Sequence, residues 1–264
     1  MKRKKLIIIF CLFILCFLFR SLINKNINSI IKIFMYSIMP NIISYQIIGC
    51  YLINYLYDIY CLFNNKFIFR FIIITICVIL GIPSSLLVLQ IANNKGLLSN
   101  KECGRIFYSL GMIPFPFIVF ICEKLGNIYS IFPYIFLFIS FLDYIICDEK
   151  IVFTNSSNNI SWSNNLLKIL EIQIFFTIIS SFLTIVLPYN PALIINLFLE
   201  YSIGSIKLLE LEKYKKLTLL VISTFSYSSI SQMKKICPNI NMILFIKKRL
   251  IISFLSISLF ILFS

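Results

Sequence analysis

Phe67–Ala92 reads FIFRFIIITICVILGIPSSLLVLQIA. A spanning helix needs about 20 mostly apolar residues, at about 1.5 Å each, to cross about 30 Å of hydrocarbon, and this stretch is long enough. It is interrupted by Gly81-Ile82-Pro83-Ser84-Ser85. A helix that carries Gly, Pro and two Ser at membrane depth must re-satisfy its freed backbone groups against protein or water, because lipid offers no partners. The stretch therefore predicts a membrane-embedded helix broken inside a protein-lined interior.

Working outward, the same pattern recurs. Leu6–Ile23 is a span preceded by Lys2, Arg3, Lys4 and Lys5, which places the N-terminus in the cytoplasm by the positive-inside rule. Its apolar run exceeds a signal-peptide core and no small-x-small cleavage site follows, so it is expected to be retained. Ile27–Phe63 reads as two helical pieces with a break near Pro40. After the polar turn Asn93–Arg105, Ser99 and Glu102 have capping-box spacing and predict a helix start. That helix meets a second break, Gly111-Met112-Ile113-Pro114, before Phe117–Leu125. Ile128–Cys147, Leu166–Leu187, Ala192–Leu211 (with Glu200, Gly204 and Lys207), Leu217–Ile230 and Met242–Phe263 complete the set. The reading is an all-α, polytopic integral membrane protein of about seven or eight embedded segments, several of them broken. Residues 1–26 form an N-terminal span, 27–147 a first half, 148–165 a polar connection and 166–264 a second half.

Composition agrees. Of 264 residues 60% are apolar, more than a soluble domain can bury. The net charge of +14 sits on Lys and Arg at segment ends and in short loops, which fits topology signals and anionic headgroups and not nucleic acid. Nine Cys without a CxxC pair read as small hydrophobes, and no metal site or cofactor is expected. The absence of His argues against His-dependent hydrolases, haem ligation and His-based metal sites, so no enzyme is expected. The 27 Phe and 14 Tyr are membrane filling and interface belts.

Candidate solute contacts are the polar groups near the breaks: Glu200, Gln90, Gln232, Ser84, Ser85, Ser228 and Ser229. Glu200 stands out because an acid in an apolar segment costs several kcal/mol unless paired or hydrated. Gly81, Pro83, Gly111, Pro114 and Gly204 are the expected helix breaks. Arg105 and Arg249 read as interface anchors, and Asp58 and Asp143 as acids snorkelling at segment ends. Ser84-Ser85, Gln90 and Arg105 in the first half are echoed by Ser228-Ser229, Gln232 and Arg249 in the second, the kind of internal repeat that recurs in transporters.

Gly81–Phe120 carries a resemblance. The turn Lys95-Gly96-Leu97-Leu98-Ser99-Asn100-Lys101-Glu102-Cys103-Gly104-Arg105-Ile106 resembles a turn of the YlbJ-type sporulation integral membrane proteins, within the nucleoside-recognition or Gate-domain family. Glu200–Lys207, Ser223–Gln232 and Arg249 extend the likeness in the same order. The family's Asn-Asn-Ser-Gly-Pro break and Gly-rich stretch are replaced here by Ser109–Pro114 and Thr224–Ser229, and the N-terminal part is shorter. The resemblance implies two Gate-like repeats and a multi-pass bacterial cell-membrane protein acting in transport or permeation during spore cortex formation. Its implied partners are the lipid bilayer, a small polar solute, and other sporulation membrane proteins or a second copy. The alternative is a non-transporting scaffold that organises other sporulation membrane proteins.

Overall fold

In a computed structural model, the described residues are 55–63, 65–153, 187–209 and 214–263, with isolated positions elsewhere. The spans expected at Leu6–Ile23 and Leu166–Leu187, the break near Pro40 and most of the polar connection lie outside them. The described residues are helical, with no strand among them.

A short helix α1 (Leu56–Phe63) leads into α2 (Lys66–Leu80) and α3 (Ser84–Asn94). Asn65 caps α2 by accepting the Phe67 N–H at 2.9 Å. Gly81, at φ +62°, ends α2, and its N–H closes the last turn on the Cys77 carbonyl. Only a residue without Cβ fits here, since a side chain would run into Pro114. α2 and α3 form a hairpin, because Lys66 and Arg70 line one cleft with Gly96, Leu97 and Leu98 beyond the end of α3.

Helix α4 (Asn100–Leu110) starts at the capping box foreseen from sequence: Ser99 Oγ accepts the Glu102 N–H, and Glu102 Oε2 accepts the Ser99 N–H at 2.8 Å. It stops at Gly111, and α5 (Phe115–Leu125) resumes after Pro114. A 3₁₀ turn (Asn127–Ile131) then leads into α6 (Phe132–Ile146). Asn100–Leu125 and Asn127–Ile146 are long and apolar enough to cross a membrane.

The later elements repeat this order. α7 (Tyr189–Leu199) and α8 (Tyr201–Leu208) form a second hairpin, α9 (Lys215–Ser223) and α10 (Tyr227–Ile236) a second interrupted helix, and α11 (Met242–Phe263) a continuous one. Two expectations need correcting. Gly204 is not a break but lies inside α8; the chain turns at Glu200, and Gly204 lets α8 lie against the Leu197 backbone, where a Cβ would collide. Leu217–Ile230 is not one stretch, because it is interrupted at Thr224–Ser226.

The ends of the elements define two ends of the bundle. At one end, Lys101 pairs with Asp148 at 2.5 Å, the Ile151 N–H donates to the Asn100 carbonyl, and Cys237 Sγ lies 3.8 Å from the Val152 carbonyl. At the other, Lys215 Nζ sits 5.9 Å from the centre of the Tyr129 ring, and Tyr129 packs on Phe260. So α4–α5 and α9–α10 traverse the bundle in opposite directions. α6 and α11 pack antiparallel, with Phe132 against Phe260 at one end and Asp143 against Lys248 toward the other.

The two long helices are apolar on their outer side. On α6, Tyr134, Phe138, Phe141 and Ile145 form an exposed stripe at 4-3-4 spacing, while Phe132, Phe136 and Ser140 face inward. On α11 the exposed positions include Ile243, Ile251, Phe254 and Leu262, whereas the buried ones include Arg249, Ser253 and Ser256. This is the reverse of a helix on a water-facing surface.

Candidate functional site: a polar junction of interrupted helices

The four interruptions among the described residues meet in the middle of the bundle. The Ile82 N–H donates to the Met112 carbonyl at 2.7 Å, which joins the tip of the first hairpin to the gap between α4 and α5. Ser228 Oγ donates to Glu200 Oε2 at 3.0 Å, joining the tip of the second hairpin to the start of α10. Tyr201 packs edge-on against Phe117 of α5, and Arg249 ties the two interrupted helices together.

Arg249 is the residue sequence reading misplaced. Expected as an interface anchor, it is wholly buried (0% exposed) and stands two turns into α11. One terminal guanidinium nitrogen donates to the Ser109 carbonyl at 2.8 Å and the other to the Ser223 carbonyl at 3.3 Å. The group lies 5.0 Å from the centre of the Phe136 ring. Ser109 is in the last turn of α4 and Ser223 ends α9. A helix end leaves its last carbonyls without intrahelical donors and carries partial negative charge. Arg249 thus places one cation at two helix C-termini that approach from opposite ends of the bundle.

Other carbonyls at these ends are met locally. On α4, Phe107 and Leu110 accept from the N–H groups of Gly111 and Met112. On α9, the Ser223 hydroxyl donates to Leu219 at 2.8 Å, the Thr224 hydroxyl to Leu220 at 2.9 Å, and the Thr224 N–H to Val221. Ser223 and Thr224 therefore close the last turn of α9 with their own hydroxyls.

Asp143 supports the junction from α6. Its Oδ2 accepts the Ser109 hydroxyl at 2.5 Å and pairs with Lys248 at 3.2 Å. It lies in the last turn of α6, near the segment end as expected, and there it forms an interhelical ion pair. On the opposite side, Glu200 (6% exposed) ends α7. Beside it, Ser226 Oγ lies 2.8 Å from Ser228 Oγ and 3.0 Å from Ser229 Oγ, and caps α10 through the Ser229 N–H.

Of the expected solute contacts, Glu200, Ser228 and Ser229 come together in this cluster. Gln232 lies one turn further along α10 and is half-buried. Ser84 and Ser85 open α3 at the tip of the first hairpin; the buried Ser85 hydroxyl has no hydrogen-bond partner among the described residues. Gln90 is buried on α3, which packs against α10. Asn196, buried one turn before Glu200 with no hydrogen-bond partner for its side-chain amide among the described residues, was not singled out from sequence. Arg249 had one legible signal: a cation too far inside an apolar segment to mark its end. Among the described residues no group of His, Cys, Asp and Glu is arranged to hold a metal ion. No family model, curated protein or solved structure matches this chain.

Proposed function

We propose that this chain is a multi-pass protein of a bacterial cell membrane, with a cytoplasmic N-terminus, that serves as a transport or permeation component in spore formation. Among the described residues, each of its two halves runs hairpin, interrupted helix, continuous helix. The observation that carries the reading is the meeting of four helix interruptions around Glu200 and Arg249, in a bundle whose long helices turn apolar side chains outward. Interrupted helices at the core of inverted repeats are the general way transporters bring backbone groups and helix ends to a solute at mid-membrane. Here the hairpin tips and the cluster of Glu200, Ser228 and Ser229 supply acceptors and hydroxyls of the kind a small polar solute requires. The sporulation setting rests on the likeness of Lys95–Ile106 and Glu200–Lys207 to the YlbJ-type proteins.

A scaffold role is the second reading. It is favoured by the way Arg249, Ser223 and Thr224 satisfy the interrupted backbone from within, leaving those carbonyls no need of a ligand.

The test is complementation in a spore-forming host lacking its own protein of this kind, with wild type and Glu200→Gln compared at equal membrane levels. Restoration of heat-resistant spores by wild type alone supports a solute site at Glu200. Equal restoration by both favours the scaffold, and failure of both removes the sporulation assignment.

A further inference from the structure

The end of the bundle that holds Lys66, Lys95 and Lys101 contains two adjoining clefts of about 450 and 430 Å³ that share Arg70, Ser99 and Glu102. They lie between the first turns of α2 and α4, the Lys95–Ser99 turn and the last turn of α6. Four cations line them: Lys66, Arg70, Lys101 and Arg105. Two acids oppose these, and both are engaged. Glu102 uses Oε1 for Arg70 and Oε2 for the Ser99 cap, while Asp148 Oδ1 takes Lys101 at 2.5 Å and Arg105 at 3.1 Å. The acids orient the cations and leave a surplus of two positive charges. The Arg105 Nε is buried without a hydrogen-bond partner among the described residues.

The surroundings decide what kind of anion fits. Immediately beside the clefts, α2 exposes Phe67 (76%) and Phe71, and α6 exposes Ile145 and Ile146 (81%) next to the lining residue Tyr144. A soluble anion would gain nothing from these four side chains. An amphiphile gains from both parts, with its phosphate between the cations and its acyl chains along the exposed apolar faces. The level agrees, since the clefts open where α2, α3, α4 and α6 begin or end.

We propose that this cleft binds the phosphate headgroup of an anionic phospholipid, with Lys66, Arg70, Lys101 and Arg105 as its cationic wall. The proposal rests on the membrane reading above. It predicts a lipid held at one defined place and not a diffuse basic surface.

The experiment is native mass spectrometry of the purified full chain in equal amounts of phosphatidylglycerol and phosphatidylcholine. Wild type should retain phosphatidylglycerol preferentially. Each Lys or Arg near the membrane surface changes affinity about fivefold, so Lys66→Gln with Arg105→Gln should lower the preference about 25-fold. Lys66→Gln alone, at an exposed side chain, should lower it about fivefold and decides the matter if the double variant does not fold. Equal retention of the two lipids, or an unchanged preference in the variants, overturns the proposal. Displacement of the lipid by excess inorganic phosphate overturns it in favour of a soluble-anion site; an unchanged ratio supports it. Carbonate extraction separates the two levels of the argument. Release of the chain from membranes refutes the membrane reading itself, whereas retention without lipid preference refutes only the headgroup site.

Discussion

Replacing Arg249 by methionine keeps most of the side-chain length and removes the cation that joins α4 to α9. The Ser109 and Ser223 carbonyls then lose their donors inside a dry core, at about 1–3 kcal/mol each. Loss of the contact with Phe136 adds about 1–2 kcal/mol. Against this, methionine avoids the cost of keeping a guanidinium away from water, which is several kcal/mol. The losses total about 3–8 kcal/mol; with the offset taken at about 3 kcal/mol, the mid-range balance is a loss of about 2–3 kcal/mol, and at about 2–4 °C per kcal/mol for a chain of this size the melting temperature falls by about 4–12 °C. Arg249→Lys retains the charge, but a single ammonium has no fork with which to hold two carbonyls from different helices, so about half the loss should remain. With the exposed Cys61 replaced by serine, a thiol-reactive fluorophore is a suitable reporter, since Cys77, Cys103, Cys122, Cys147 and Cys237 are buried. Lys247→Gln, exposed on the neighbouring position of α11, is the control and should melt with wild type. If Arg249→Met melts within about 2 °C of wild type, or Arg249→Lys matches wild type, the two carbonyls do not depend on the guanidinium and the account of the junction is wrong.

Two further outcomes follow from local geometry. Gly204→Ala puts a Cβ into the Leu197 backbone and should cost about 1–3 kcal/mol by forcing the second hairpin apart, read as a lower melting temperature; an unchanged value would mean that α7 and α8 are not closely packed there. At the exposed Asp148, the hydrogen bond from Lys101, followed by that from Arg105, holds the carboxyl below its usual range. A lowered folded value gives stability that is present above the unfolded pKa of about 3.9 and lost as pH falls through the folded value. The small melting difference between wild type and Asp148→Asn should therefore be constant near neutrality and vanish in acid, and a difference that grows in acid would contradict the assignment.

Local chemistry was legible. The capping box at Ser99 and Glu102 needs only residues three apart, and the chain folds it as read. Helices end at Gly81 and Gly111 and resume after Pro83 and Pro114, where a positive φ, a missing N–H or a restricted ring acts on the backbone at once. Gly204 had the same local signature and a different use. In its case the deciding fact is the Leu197 backbone of another helix, which no neighbouring residue announces.

The candidate site divides in the same way. Sequence pointed to Glu200, Ser228 and Ser229 because an acid and hydroxyls beside apolar runs need partners, but it could not pair them across 28 residues. It gave Arg249 to the segment end because charged side chains normally reach for water from there, and it placed Asp143 near its helix end without its partner Lys248. Composition and apolar periodicity by themselves determined an all-helical chain with segments fit for a bilayer, since those properties follow from what lipid and backbone allow. Only the tertiary structure decided that Arg249 faces inward. Its acceptors lie 140 and 26 residues away, and a buried cation is tolerated only where distant helix ends converge to receive it.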